Sequence, residues 1–159
     1  REGKCVRFNE QDARPIGRTA AGVRGISIEE YDKVVGMICV NTSVEACPHV
    51  LVVSENGYGK RSLIEDYRKV NRGGKGVKTL NITEKTGKLI ALKAVTDDSD
   101  LMIITRSGIT IRLAVADIRL AGRATQGVRL INLREGDAIA AVCCVPKSDP
   151  LPKEAVEDL

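Results

Sequence analysis

Apolar residues fall along this chain in short runs, without the 3.6-residue rhythm of an amphipathic helix. Ile26 and Ile28, Leu80 and Ile82, and Ile131 and Leu133 each bracket one small or polar residue, which is the period of a half-buried strand. Longer apolar runs follow at 34–40, 89–95 and 138–145, and these fit more deeply buried strands. Two further runs, 50–53 and 101–105, are rich in β-branched residues and favour strand over helix. Segments 4–8, 59–63 and 110–113 also open as strands before running into Gly-bearing loops.

The runs recur in register. Gly3, Gly57 and Gly108 stand at the head of three similar stretches, and Gly22, Gly76 and Gly127 follow nineteen residues later in each. A period near 50 residues points to a propeller or solenoid. Solenoid coils usually have shorter repeats, so the pattern predicts an all-β, propeller-like array of four-stranded blades, with about three blades present. Blade one covers 1–49 and lacks its leading strand, blade two covers 50–100, and blade three covers 101–145. The tail, 146–159, has three prolines and mixed charge and reads as a linker or frayed end.

With 159 residues and 43% apolar content the chain has enough material for a core. No stretch approaches the roughly 20 apolar residues of a membrane span, and residues 1–7 do not resemble a signal peptide, so a cytoplasmic protein is expected. The five cysteines, Cys5, Cys39, Cys47, Cys143 and Cys144, show no C-x-x-C spacing and are expected as reduced core residues. His49 is the only histidine and reads as a loop or core residue. No carboxylate pair, metal spacing or nucleophile–base set can be assigned, so neither catalysis nor a metal or cofactor is expected.

Charge sharpens the picture. Counting from each starting glycine, position four is Arg7, Arg61 and Arg112; position eleven is Arg14, Arg68 and Arg119; position fifteen is Arg18, Arg72 and Arg123; and position 21 is Arg24, Lys78 and Arg129. The windows 4–24, 58–78 and 109–129 hold 16 of the 25 basic residues and 5 of the 21 acidic ones, while the remainder is acidic on balance. Equivalent segments around an axis would join into one curved basic stripe, suited to a polyanion that bends around it.

Aromatic residues, the stacking platforms of single-strand binders, make up only 3% of the chain, and no recognition helix is apparent. Duplex DNA held by its phosphates, with bending cost as the only sequence preference, is the polyanion that remains. The candidate contacts are Arg14, Arg18, Arg24, Lys60, Arg68, Lys69, Arg72, Lys75, Lys78, Arg119, Arg123 and Arg129. The glycines of 71–76 would let backbone amides approach a phosphate. The six aligned glycines, Gly3, Gly22, Gly57, Gly76, Gly108 and Gly127, equally suit turns needing positive φ, and Arg7, Arg61 and Arg112, lying within strands, suit a structural role.

Residues 16–26 (IGRTAAGVRGI), 56–61 (NGYGKR) and 122–128 (GRATQGV) resemble the C-terminal DNA-wrapping domain of the bacterial DNA gyrase A subunit. The resemblance covers residues 3 to about 145 and is to the last three of about six blades. It implies a β-pinwheel whose neighbouring blades exchange strands and whose basic rim bends duplex DNA. It also implies partners in ATP-dependent negative supercoiling near the nucleoid: the rest of the gyrase A subunit, together with the gyrase B subunit. The fragment itself is expected to be non-catalytic. The family's Q-R-R-G-G-R-G box is matched only in part, by 71–76. Two alternatives stay open: the equivalent domain of topoisomerase IV, and a protein-interaction propeller with a charged rim.

Overall fold

The computed structural model describes residues 1–41, 43 and 48–147. It is all-β, with strands β1 (Lys4–Cys5), β2 (His49–Ser54), β3 (Tyr58–Ser62), β4 (Val77–Lys78), β5 (Leu89–Val95), β6 (Ser99–Thr105), β7 (Thr110–Ala114), β8 (Val128–Arg129) and β9 (Ile139–Pro146). A single 3-10 turn follows the second strand of each copy, at Glu10–Asp12, Ile64–Asp66 and Val115–Asp117.

The hairpins β2–β3 and β6–β7 share their turn chemistry. Gly57 and Gly108 sit at φ +86° and +87°, a region that strains any residue with a Cβ. Just before each turn a hydroxyl closes the loop: Ser54 Oγ accepts from the Tyr58 amide at 3.3 Å, and Thr105 Oγ1 from the Ile109 amide at 3.2 Å. Within β2 the alternation distributes side chains to two cores. Leu51 and Val53 pack with Leu101, Ile103 and Val142, whereas Val50 and Val52 pack with Ile64, Tyr67 and Leu80. All four are buried, and each contributes about 1.5–3 kcal/mol by the transfer scale.

Sheet order shows that blades exchange strands. One sheet runs β5-β2-β3-β8, taking its fourth strand from the next copy, and another runs β7-β6-β9. The β1–β4 ladder repeats this exchange between copies one and two, with Lys4 opposite Lys78 and Cys5 opposite Val77. In the β3–β8 ladder Tyr58 faces Arg129 and Gly59 faces Val128. The exchange requires the backbones to approach closely. A Cβ on Gly76 would lie 2.5 Å from the Cys5 carbonyl oxygen, and one on Gly127 would lie 2.6 Å from that of Gly59.

Arginines clasp each junction in both directions. Reaching forward, Arg7 Nη1 donates to the carbonyls of Ile64 (2.9 Å) and Tyr67 (3.0 Å), and Arg61 donates to those of Ile118 (2.8 Å) and Ala116 (3.0 Å). Reaching back, Arg72 Nε and Nη1 donate to the carbonyls of Asp12 (2.9 Å) and Arg24 (2.6 Å). Arg123 repeats this on Asp66 (3.0 Å) and Lys78 (2.9 Å). Hydrogen bonds from charged donors contribute about 1.5–3 kcal/mol each when buried and less when exposed, so the forward Arg61 clasp is the strongest.

Several expectations are corrected. Residues 34–40 form no strand: Val34 and Met37 are 64% and 81% exposed, while Val35, Ile38 and Val40 rest on the second core. Their counterparts β5 and β9 are strands because they pair with β2 and β6, whereas 34–40 pairs with no strand among the described residues. The alternating segments 26–28, 80–82 and 131–133 are not strands either; the short exchanged strands β4 and β8 lie just before the latter two. Cys39 and Cys143 are exposed rather than core, Cys5 and Cys144 are half-buried, and all four are free thiols. Cys47 lies outside the described residues, as does 148–159 of the tail. His49 opens β2, half-buried, with Nδ1 3.3 Å from Arg61 Nη1.

Candidate nucleic-acid interface

The exchanged strands and reciprocal clasps bring basic residues of adjacent copies together. At the first junction Arg72 is fastened beside Arg24, and at the second Arg123 is fastened beside Lys78. Each of these guanidiniums uses Nε and Nη1 for the clasp and is only half-buried, and its Nη2 has no partner among the described residues. Arg18, at the same position of copy one, is exposed and makes no such bond.

Arg14, Arg18, Arg24, Arg68, Lys69, Lys75, Lys78, Arg119 and Arg129 are exposed. The ion pairs among the described residues are Arg1 with Asp32 and Glu55, Arg61 with Asp97, Lys88 with Glu2, and Arg112 with Asp100. None uses a candidate contact, so the charge of these residues is not compensated by a neighbouring carboxylate. Arg68, Asn71, Gly74, Lys75 and Gly76 line a shallow concavity of about 350 Å³, where the glycine-rich 71–76 segment was expected to admit a phosphate.

Lys60 does not belong to this surface. Its side chain is fully buried, and Nζ donates to the carbonyls of Gly122 (2.6 Å) and Arg123. Burial pushes its pKa down to about 8, against an opposing pull from Asp66. Strand β3 is buried along its whole length, and the 119–123 segment that bonds to it encloses the Lys60 ammonium.

Two basic residues escaped the repeat alignment. Lys4 stands directly opposite Lys78, a like-charge pair that an anion would relieve. Lys85 Nζ lies 5.5 Å from the centre of the Tyr58 ring, and Arg129 lies 5.6 Å from it. Arg129 Nη2 also donates to the Tyr58 hydroxyl at 3.0 Å and Nη1 to Asn132 Oδ1 at 3.2 Å. The hydrogen bond from Arg129, with the charge of Arg129 and Lys85, holds the Tyr58 phenol below its usual range. This group lines a second concavity of about 320 Å³ with Asn56 and Leu133. Only the cross-strand register reveals it, because Lys85 lies outside the basic windows.

Comparison with known proteins gives one consistent result. The sequence model described as "DNA gyrase C-terminal domain, beta-propeller" matches residues 1–41, 48–96 and 99–145. The DNA gyrase A subunit of Staphylococcus epidermidis is 50% identical over 144 residues, which cover 91% of this chain and 16% of that protein. The DNA gyrase A subunit of Staphylococcus aureus is 49% identical over 153 residues, 96% of this chain and again 16% of the relative. A solved DNA gyrase A C-terminal domain superposes with a TM-score of 0.78 at 27% identity, over 89% of this chain and 47% of that one. The C-terminal domain of DNA topoisomerase IV superposes with a TM-score of 0.80 at 22% identity, over 93% and 45%, a likeness of fold. No helix among the described residues is long and apolar enough to cross a membrane. The matched domain is a non-catalytic part of a type II topoisomerase, and the chain belongs to the DNA gyrase A C-terminal domain family, with its all-β pinwheel architecture.

Proposed function

We propose that the chain binds duplex DNA by its phosphates, without reading base sequence, and bends it along the basic rim. In the whole enzyme, with the rest of the gyrase A subunit plus the gyrase B subunit, this bending supports ATP-dependent introduction of negative supercoils in the bacterial cytoplasm, at the nucleoid. The observation that carries the reading is the row of exposed cations, repeated from copy to copy and without carboxylate partners among the described residues. Such a row meets a duplex that presents a phosphate every ~1.7 Å, and releasing its counterions drives binding.

The test is a titration of the chain with a short mixed-sequence duplex across a salt series. Contact with about six phosphates gives a slope of log affinity on log salt near −5. Binding indifferent to salt, or absent even at low salt, overturns the reading. Replacing Arg68, Lys75 and Lys78 together with alanine is expected to weaken binding by at least about tenfold and to flatten the slope by roughly 2–3, with the melting temperature nearly unchanged. Arg72 stays out of that set because its clasp on copy one ties it to the fold. The identity to gyrase A favours gyrase over topoisomerase IV, whose likeness lies in the fold.

A further inference from the structure

We infer that Lys60 is a positioning residue for the rim: its buried ammonium fixes the main chain at Gly122 and Arg123 and so aims the Arg123 guanidinium at a phosphate of the bound duplex. The inference rests on the duplex-binding reading above and names how one of its contacts is held.

Strand β3 grips the segment 119–123 step by step. The Arg61 amide donates to the Arg119 carbonyl at 3.0 Å, the Ala121 amide donates to the Arg61 carbonyl at 2.8 Å, and Ser62 Oγ donates to the Ala121 carbonyl at 2.8 Å. Lys60 completes the grip on the next two carbonyls, Gly122 and Arg123, with the one charged donor in the set. The far end of Arg123 is fastened separately, by Nε and Nη1 on the carbonyls of Asp66 and Lys78. With both the backbone and two of the three guanidinium nitrogens held, little rotamer freedom remains to be lost when Nη2 meets an anion.

The fold itself does not require a lysine here. The equivalent residues are Val6 in copy one and Ile111 in copy three, both half-buried. At the first junction the corresponding turn is held without a lysine, by Gly73 N on the Gly25 carbonyl (2.8 Å), Ser27 N on that of Gly74 (2.9 Å) and the Arg72 clasp. Nor is the proton on this lysine a source of stability at neutral pH. Its folded pKa lies below its unfolded one, so the folded state binds the proton less well. Stability is therefore lowest below about pH 8 and rises from there toward the unfolded value. The charged groups acting on the ammonium are Asp66 and Arg123, and its cross-strand neighbour Val52 carries no charge.

The experiment is a double-mutant cycle on the whole chain. Duplex affinity and its salt slope are measured for the unaltered chain, Lys60→Met, Arg123→Gln and the double variant. Thermal melts confirm folding, and Lys60→Ile, the residue of copy three, serves as a second variant. Each single change is expected to weaken binding about three- to tenfold and to reduce the slope by up to about one phosphate. The double variant should bind no more weakly than Arg123→Gln alone. Lys60→Met and Lys60→Ile binding like the unaltered chain, or additive losses in the double variant, overturn the inference and leave duplex binding standing. Failure of the unaltered chain to bind duplex overturns both.

Discussion

Arg61 and Arg112 hold the same place in neighbouring copies, yet Arg61 is 7% exposed and Arg112 is exposed. Arg61 reaches two carbonyls of the following copy as well as Asp97, whereas Arg112 turns to Asp100 (2.7 Å) and the Pro146 carbonyl (3.2 Å) within its own sheet. Removing a buried, multiply bonded arginine leaves carbonyls without donors, and Arg61→Ala is expected to cost about 3 kcal/mol. An exposed ion pair is worth little, so Arg112→Ala should cost under about 1 kcal/mol. Urea denaturation of the two variants checks the contrast, and equal losses would contradict it. The repeat register made these positions legible as a set, along with Arg72 and Arg123. What it could not supply is the acceptor: main-chain carbonyls leave no mark in a sequence, so the clasping role of Arg72 and Arg123 and the burial of Lys60 emerged only in three dimensions.

At the level of elements, the exchange of β8 onto β3 depends on glycine. Gly127 combines φ +78° with a backbone approach that a Cβ would violate, while Gly22 combines φ +83° with open space. Gly127→Ala is therefore expected to destabilise by more than about 2 kcal/mol, through strain plus displacement of β8, and Gly22→Ala by about 1 kcal/mol. Thermal melts of the two variants separate these outcomes. The strands at 50–53, 89–95, 101–105 and 138–145 were legible from their apolar runs, and those at 59–63 and 110–113 from their place after the starting glycines. Residues 34–40 misled for a physical reason. An apolar run becomes a strand only beside a partner with unpaired backbone groups, and among the described residues 34–40 has none. The exchange itself was implied by family resemblance; from the pattern alone, β4 and β8 are two-residue strands too short to show a period.

Across the whole molecule order is uneven. Strands β2 and β3 lie within a four-stranded sheet, and nearly all of their residues are buried, whereas 9–24 is exposed throughout. Local opening requires little free energy where few apolar contacts must break. Amides in 14–24 are therefore expected to exchange with solvent far faster than those of 50–53, as hydrogen-exchange mass spectrometry would record, and equal protection would contradict it. Because β8 belongs by sequence to copy three and by pairing to copy two, these two copies should unfold together, in one calorimetric transition. Partition of charge into basic windows and an acidic remainder was legible from the outset, since the glycine register alone reveals it.

Across the junctions the clasps read only main-chain oxygen, at Asp12, Arg24, Ile64, Tyr67, Asp66, Lys78, Ala116 and Ile118. Any residue supplies that oxygen, so the accepting segment is free to drift in sequence while the joint persists. Such a joint works as a standard coupling. Whole units can be added, removed or shuffled, provided that each brings its two arginines and its close-approach glycine, and the length of the array becomes an adjustable quantity for a designer.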